Sequence, residues 1–269
     1  MIHPVAAAAG GGCKLKPQVH ERIKRFMPAR LHRLRQAVRD WMMQGDGLPI
    51  PPQELRSLVS GDPNDTKSSF FNIGRACAEQ IVEALKKTGV EIDSFDAILD
   101  FGCGCGRTIR HFQTLEKPTL YGTDYNPKLI DWCSRNLPFG RFGVNQLHPP
   151  LVYPAEAFDL VYAFSVFTHL PESLQFSWMG ELSRVLRPAG YLAISTHPLE
   201  RLAAGQRTGQ LVVLGDESTA GTNPCATYHA FAYVKEKLAK GFEVVEFIEA
   251  RSWRSQDFYL LRKLTGGSA

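Results

Sequence analysis

Short apolar runs alternate with amphipathic or helix-initiating segments from residue 95 onward, and this alternation constrains the fold more than any other feature of the chain. The segments between the runs show helical spacing of apolar residues or a helix start such as Asn126-Pro127. Strands that alternate with helices form a parallel sheet with right-handed crossovers, so the sequence predicts a doubly wound α/β fold. The runs are predicted strands at 97–101, 119–123, 141–144, 158–163 and 191–195.

The end of the chain predicts a change of strand direction in this sheet. Two further apolar runs, at 242–250 and 257–261, are separated by only six residues. Six residues are too few for the crossover that two parallel strands need, so these strands are predicted to be antiparallel. A helix is predicted over 228–240, and the polar, Gly-containing segment 198–225 is predicted to be an insertion.

The residues before the alternating region form two predicted parts. Apolar residues recur at helical spacing within 30–43, so residues 1–44 are predicted to be a flexible and basic helical extension. A short helix that starts near Pro51 and a longer helix over 70–88 make 45–94 a predicted N-terminal helical cap. Residues 95–265 are then the α/β domain, with the insertion at 198–225 and a helix expected over 107–115.

Positive charge is concentrated near the N-terminus. Residues 14–40 contain nine Lys or Arg and two acidic residues, although the net charge of the whole chain is only +4. Any affinity for nucleic acid is therefore expected in this segment. The simpler interpretation is a helix docked on the body with a solvated basic face. The alternatives are contact with an anionic substrate, a lipid surface or RNA, and a transit peptide, because the stretch is rich in Arg and poor in acids.

The cysteines and the hydropathy narrow the class of protein. The six cysteines are scattered and lack the paired spacing of a zinc site, so we predict no metal site and a reducing, cytoplasmic compartment. No apolar run approaches the ~20 residues that a membrane span needs. Nothing in the sequence indicates an oligomeric state.

A glycine loop follows the first predicted strand. Gly102, Gly104 and Gly106 allow the backbone to turn sharply and to approach a ligand closely. Asp124 comes 20 residues after Gly104, at the end of the second strand, where a carboxylate can accept hydrogen bonds from both hydroxyls of a ribose. Because ligands of such sheets bind beyond the carboxyl ends of the strands, the residues that follow strand ends are expected to line one site. Besides the loop and Asp124, these residues are Asn145, Ser165 and His197.

Several stretches of this region resemble the class I S-adenosylmethionine-dependent methyltransferases. They are 98–107 (Ile-Leu-Asp-Phe-Gly-Cys-Gly-Cys-Gly-Arg), 122–127, 158–161 with Ser165 and 168–170, and 186–191. The resemblance is close over about residues 70–200 and extends to the terminal strand at 256–263. It implies a seven-stranded, mostly parallel sheet with an antiparallel last strand, and S-adenosylmethionine as the cofactor. The loop has the spacing G-x-G-x-G followed by Arg107, whereas nicotinamide-binding domains have G-x-G-x-x-G. A nicotinamide-dependent oxidoreductase is therefore disfavoured.

The resemblance also implies roles for individual residues. The three glycines would surround the methionine part and the ribose of the cofactor, Asp124 would hold the ribose hydroxyls, and Tyr125 would lie against adenine. Asp100 would support the loop or bind the methionine ammonium group, with a purely structural carboxylate as the alternative. Asn145 and Gln146 would contact the adenine amino group, where the family often has an acidic residue. Phe164 and Ser165 would lie beside the methionine and the acceptor. Arg75 would bind the methionine carboxylate.

Histidines are the candidate bases on the acceptor side of this predicted site. Transfer of a methyl group to a hydroxyl benefits from a general base with a pKa near the working pH, and histidine fits that need. His169 and His197 follow the fourth and fifth strands and are candidate bases or substrate ligands, with a structural role near a helix start as the alternative for His169. His229 is a more remote candidate.

The predicted reaction is methyl transfer to an O or N atom of a small molecule, such as a natural product, a sugar or a lipid-linked intermediate. Methylation of RNA or protein through the basic N-terminal helix is the alternative, with nucleic acid contacted through residues 14–40.

The position of the basic segment outside the glycine loop leads to a first prediction. Deleting residues 1–44 should leave the affinity for S-adenosylhomocysteine nearly unchanged, because the predicted cofactor contacts all follow residue 70. Calorimetric titration of the truncated chain measures this affinity. A folded truncated protein that no longer binds the ligand would contradict the prediction that residues 1–44 do not contribute to cofactor binding.

Overall fold

The computed structural model describes residues 46–250 and 255–265. Its contacts divide the chain into one unit at Met1–Gln44 and a second at Gly45–Ala269. The first unit lies outside the described residues, and so do the helix predicted at 30–43 and the extension predicted at 1–44. The domain boundaries therefore stay predictions.

The helices of the second unit lie before the sheet and in its crossovers. Short 3₁₀ turns lie between them at Ile92–Ser94, Ile109–Phe112, Phe167–His169, Leu199–Arg201, Ala204–Gln206 and Glu217–Thr219. The helices are α1 (Gln53–Ser60), α2 (Lys67–Lys87), α3 (Pro127–Asn136), α4 (Glu172–Val185) and α5 (Phe231–Tyr233), which continues as one π-helical turn over Val234–Leu238.

Seven strands form the sheet in the order β3-β2-β1-β4-β5-β9-β8, and two more extend one end of β5. The strands β1 to β5 are parallel, whereas β9 runs antiparallel to both β5 and β8. This confirms the prediction of a mostly parallel α/β sheet with an antiparallel end. The strands are β1 (Ala97–Phe101), β2 (Thr119–Asp124), β3 (Gly140–Val144), β4 (Phe158–Ala163), β5 (Leu186–Pro198), β6 (Leu211–Leu214), β7 (Ala226–His229), β8 (Phe242–Ile248) and β9 (Asp257–Lys263).

Both faces of the sheet are buried, as a doubly wound fold requires. Neighbouring residues of one strand point to opposite faces, so Ile98 joins one apolar core and Leu99 the other. The core around Ile98 contains Ile81 and Leu85 of α2. The core around Leu99 contains Trp178 and Leu182 of α4 together with Val234 and Leu238 of the π-helical turn.

The structure confirms that Asn126 caps α3 and that Pro127 lies in its first turn. The Asn126 side chain accepts a hydrogen bond from the Lys128 N–H at 3.1 Å, and Pro127 occupies the first helical turn, where its missing N–H costs nothing. A side-chain cap also begins α2, because the Thr66 hydroxyl accepts a hydrogen bond from the Ser69 N–H at 3.0 Å. These two caps fix the helices that flank the glycine loop.

The helix predicted over 107–115 is wrong, because only the 3₁₀ turn Ile109–Phe112 forms there. A Cβ atom on Gly74 would lie 1.9 Å from the Arg107 carbonyl oxygen, so α2 packs directly on this backbone. That contact holds the Arg107 backbone against α2 at the point where the predicted helix would begin.

The insertion and the segment after it also differ from the prediction. Residues 198–225 contain strand β6, and the helix predicted from Tyr228 begins only at Phe231. Tyr228 and His229 belong instead to β7, which pairs parallel with the tip of β5 at His197 and Pro198 and antiparallel with β6. The two-stranded ribbon β6–β7 is therefore an addition to the seven-stranded sheet.

Among the described residues, no helix combines the length and the hydropathy that a membrane crossing needs. The predicted cytoplasmic location stays a prediction.

Candidate functional site

A cavity of about 360 Å³ lies at the carboxyl ends of β1 to β4. Leu58 and Val59 of α1 and residues 221–224 of the insertion also line this cavity. The cavity brings together most of the site residues that the sequence predicted. These are Asp100, Gly102, Gly104, Asp124, Tyr125, Asn145, Gln146, Phe164, Ser165 and His169.

The Asp124 carboxylate connects the end of β2 to the glycine loop. Its Oδ2 accepts the Gly104 N–H at 2.9 Å, and its Oδ1 accepts the Asn126 N–H at 2.8 Å. The side chain is buried, and burial raises the pKa of its carboxyl group. Since each carboxylate oxygen has two acceptor positions, both oxygens keep one for a ligand in the cavity.

The glycine loop needs glycine because its surroundings leave no space for side chains. Gly102 and Gly104 both have positive φ angles, +76° and +55°. A Cβ atom would lie 2.3 Å from Val166 Cγ2 at Gly102 and 2.7 Å from Val59 Cγ2 at Gly104. The backbone of the loop is therefore the surface that a ligand meets.

Gly106 has a different position from the other two glycines. It does not line the cavity, and a Cβ atom on it would lie 2.3 Å from Leu137 Cδ1, just after α3. The structure therefore places Gly106 in the packing of the loop on α3 rather than at the predicted ligand contact.

Asp100 is a buried carboxyl group at the cavity wall with unused hydrogen-bonding capacity. Its Oδ2 has no hydrogen-bond partner among the described residues. Burial raises the pKa of this carboxyl to about 8. The Tyr162 hydroxyl and the Arg107 guanidinium oppose this rise, whereas the nearby Asp124 carboxylate adds to it. A cationic group in the cavity would favour the ionised form of Asp100.

Asn145 and Tyr125 lie where the sequence predicted an adenine site. The Asn145 amide donates from Nδ2 to the Gln146 carbonyl oxygen at 2.7 Å, while its buried Oδ1 has no partner among the described residues. A free amide oxygen can accept a hydrogen bond from an amino group. Tyr125 lines the same part of the cavity and is 40% exposed.

His169 faces the cavity with its tautomer fixed by the insertion. Its Nδ1 lies 2.8 Å from the Cys225 carbonyl oxygen. A carbonyl oxygen only accepts, so Nδ1 carries the proton and Nε2 keeps its lone pair when the ring is neutral. The backbone is held as well, because the Gly221 N–H donates to the His169 carbonyl at 2.7 Å.

His197 and His229 do not line the cavity. The His197 ring stacks on Tyr228 at 5.2 Å between centroids and meets the His169 ring edge-on at 6.4 Å. Burial lowers the pKa of His197 to about 4, so its ring is neutral at physiological pH. His229 is fully buried and its Nε2 lies 2.9 Å from Gln175 Oε1. The structure thus places His197 behind His169 rather than beside it.

Arg75 is also absent from the cavity wall, contrary to the expected contact with a methionine carboxylate. Its Nη2 donates to Asn72 Oδ1 at 3.2 Å, and its side chain is 56% exposed. The physical reason is the orientation of α2. Gly74 is the residue that packs on the loop backbone, and the next residue of a helix projects about 100° away. Arg107 is the arginine that lines the cavity.

Two residues that contact the cavity wall from behind are not among the site residues that the sequence predicts. Gln256 and Ser195 form hydrogen bonds with Ser165, although they lie on other elements of the sheet. No local motif marks either of them, since their contacts join segments that are far apart in the chain.

The cysteines near the loop are buried thiols. Cys103 and Cys133 both direct their Sγ atoms to the Gly104 carbonyl oxygen, at 3.6 and 3.5 Å. Burial raises the pKa of Cys103 far above its ordinary value. Across the described ranges, no group of three His, Cys, Asp or Glu residues is arranged to hold a metal ion.

Residues 99–194 match the family model of a methyltransferase domain. The match begins in β1 and ends in β5, so it contains the glycine loop, Asp124 and His169.

Solved structures of S-adenosylmethionine-dependent methyltransferases share this fold. One from Clostridium acetobutylicum is 15% identical, with a TM-score of 0.53 over 79% of this chain and 97% of that one. The 1,6-didemethyltoxoflavin-N1-methyltransferase of Burkholderia thailandensis, solved with 1,6-didemethyltoxoflavin and S-adenosylhomocysteine, is 16% identical, with a TM-score of 0.52 over 82% and 94%. One from Methanosarcina mazei is 18% identical, with a TM-score of 0.50 over 64% and 93%. Residues 99–194 thus match a methyltransferase domain, and the chain shares the Rossmann-like fold of solved S-adenosylmethionine-dependent methyltransferases.

Proposed function

We propose that the enzyme transfers the methyl group of S-adenosylmethionine to an O or N atom of a small molecule held beside His169. The observation that carries this proposal is the fixed ring of His169, a residue of the cavity wall whose Nδ1 donates to the Cys225 carbonyl oxygen and whose Nε2 therefore keeps its lone pair.

The order of the strands supports one direction for the cofactor along the cavity. The Asn145 amide oxygen follows β3 and suits the adenine amino group, with Tyr125 beside the ring. The Asp124 carboxylate follows β2 and suits the ribose hydroxyls. Asp100 and the glycine loop follow β1 and suit the methionine part. The partnerless Asp100 Oδ2 and Asn145 Oδ1 are the acceptors that the ammonium and amino groups of the cofactor need.

The cofactor supplies, when bound, a methyl group on a positively charged sulfur, which is already activated for in-line displacement. The chain has to align the acceptor and exclude water. For a hydroxyl acceptor, His169 Nε2 takes the proton as the oxygen becomes nucleophilic. For a neutral amine, the same nitrogen accepts a hydrogen bond and removes the proton after transfer.

The charge of the cavity wall supports a small-molecule acceptor over RNA. Within the described part of the chain, Arg107 is the one Lys or Arg on the wall. Recognition of RNA relies on cations that neutralise phosphates. Much of the remaining wall is apolar or neutral and includes Leu58, Leu147, Leu170, Trp178, Thr222 and Pro224.

Mass spectrometry identifies the acceptor directly. The enzyme is incubated with S-adenosylmethionine and either a metabolite extract, total RNA or a protein fraction. A gain of one methyl group in a metabolite is the expected result. Methylation found in RNA or protein alone would overturn the small-molecule proposal and favour the basic segment as the acceptor-binding element.

Replacing Asp124 by alanine should weaken the binding of S-adenosylhomocysteine. Hydrogen bonds to a charged group contribute roughly 1.5–3 kcal/mol each, so the dissociation constant should rise at least about tenfold. Asp124→Asn should be intermediate, because the amide keeps one acceptor oxygen. Calorimetry on folded variants measures both values. An unchanged affinity of Asp124→Ala would show that the ribose does not bind here.

Asp100 should make the stability of the free enzyme fall as the pH rises. The folded state keeps a proton on Asp100 up to about pH 8, whereas the unfolded chain releases it near the ordinary value of 3.8. Above that ordinary value the unfolded state therefore binds fewer protons, and stability is lost until the pH reaches the folded pKa. Asp100→Asn removes this loss.

Chemical denaturation from about pH 5 to about pH 8 tests this prediction. The free energy of unfolding of Asp100→Asn minus that of the wild type should grow steadily across the range. Asp131→Asn is the control, because Asp131 is an exposed carboxylate on α3 paired with Arg135. A constant difference for Asp100→Asn would mean that Asp100 is already ionised in the folded enzyme.

Replacing His169 by alanine should lower turnover of the identified acceptor by about 100-fold or more without changing cofactor affinity, because only proton transfer is lost. A higher pH should partly restore the rate by ionising the acceptor. The control is His148→Ala, an exposed loop residue outside the cavity wall, which should keep wild-type turnover. Full activity of His169→Ala with an unchanged pH–rate profile would remove His169 from the mechanism.

A further inference from the structure

Three polar side chains from different elements meet behind the cavity wall formed by Ser165. The Ser195 hydroxyl on β5 donates to Gln256 Oε1 at 2.6 Å. The Gln256 amide, just before β9, also donates from Nε2 to Ser165 Oγ at 2.8 Å, and Oε1 lies 3.1 Å from the same Oγ. Ser195 Oγ in turn accepts the Ser165 N–H at 2.8 Å.

The backbone at Ser165 needs this support. Its φ angle is +57°, a left-handed conformation that residues with a Cβ rarely adopt. Such conformations persist where the surrounding contacts determine them. Here both the N–H and the hydroxyl of Ser165 are bonded within the network, so the network fixes the direction in which the chain leaves β4.

The direction in which the chain leaves β4 also positions the two neighbours of Ser165. Phe164 and Val166 both line the cavity. Phe164 stacks on Phe258 with 5.8 Å between ring centroids, and Val166 packs so closely on Gly102 that a Cβ atom there would lie 2.3 Å from Val166 Cγ2. The turn after β4 therefore sets the width of the cavity over the first glycine of the loop.

We infer that Gln256 is a positioning residue for the methionine end of the cofactor, acting through Ser165 and the turn after β4. Gln256 itself does not line the cavity, so its effect on a ligand is indirect. The inference rests on the proposed direction of the cofactor, in which β1 and β4 hold the methionine part. In that direction the adenine and ribose groups would bind at the ends of β3 and β2, whereas the network lies at β4, β5 and the start of β9.

This arrangement predicts a selective loss of affinity. Gln256→Leu keeps the approximate volume of the side chain but removes all of its hydrogen bonds. Its dissociation constant for S-adenosylhomocysteine should rise about tenfold, while that for adenosine, which lacks the methionine part, should change less than about twofold. Gln256→Glu keeps acceptors for both serine hydroxyls and should bind S-adenosylhomocysteine within about threefold of the wild type.

A double-mutant cycle tests whether the residues act as one unit. Ser195→Ala alone should show the same selectivity between the two ligands. Adding Gln256→Leu to Ser195→Ala should cost far less affinity than it does in the wild type, since coupled residues are not additive. Gln113→Leu is the matched control, because Gln113 donates to a backbone carbonyl, that of Asp46 at 3.0 Å, and lies outside the cavity wall. It should leave both affinities unchanged.

The outcomes separate this inference from the proposed function. Wild-type affinity of Gln256→Leu and Ser195→Ala for S-adenosylhomocysteine would overturn the inference while leaving the proposed function intact. Equal weakening of both ligands, with a lower unfolding temperature and no rescue by Gln256→Glu, would show a merely structural role. Failure of the wild-type enzyme itself to bind S-adenosylhomocysteine would instead contradict the proposed cofactor site.

Discussion

The Asp124 carboxylate holds the end of β2, the glycine loop and the start of α3 in one arrangement. Its two oxygens accept the N–H groups of Gly104 and Asn126, at 2.9 and 2.8 Å, inside a buried environment. Removing either donor would leave a buried carboxylate with one bond fewer, which is costly. Each oxygen keeps one further acceptor position, and Asp124 lines the cavity. The bonds that form the loop therefore also orient the acceptors that a ribose needs.

Asp100, at the end of the neighbouring strand β1, differs from Asp124 in its hydrogen bonds and in how strongly its charge is stabilised. Asp100 lacks a partner for Oδ2, and burial raises its pKa to about 8, whereas Asp124 receives two N–H donors that stabilise its charge. Two ionised carboxylates at these neighbouring strand ends would repel each other, and Asp100 is buried, so the free site favours one charge over two. A ligand that carries a cationic ammonium group removes that conflict. The cavity is thus electrostatically suited to a ligand with a ribose and a cation at neighbouring strand ends.

Local patterns in the sequence predicted the features that depend on neighbouring residues. The strand positions, the glycine loop, the Asn126-Pro127 helix start and the antiparallel β8–β9 pair follow from periodicity, capping and connection length. Features that depend on distant contacts were missed or misplaced. Ser165 bonds to Gln256 91 residues away, and the direction of Arg75 depends on which face of α2 packs on the loop. The β6–β7 ribbon was missed because its polar, Gly-containing surroundings are typical of a loop.

The histidine on the cavity wall shows how the added ribbon affects the chemistry of the core fold. β7 extends the tip of β5, and the chain that leads into it supplies the Cys225 carbonyl that fixes the His169 ring. The same segment contacts α1 at the cavity wall, where Asn223 Nδ2 donates to the Leu58 carbonyl at 3.3 Å. The ends of β1 to β4 and the residues of α1 and the insertion therefore border the same cavity. Because the Asp124 bonds to Gly104 and Asn126 involve no residue of the insertion, a change in the insertion can alter the orientation of His169 without removing those bonds.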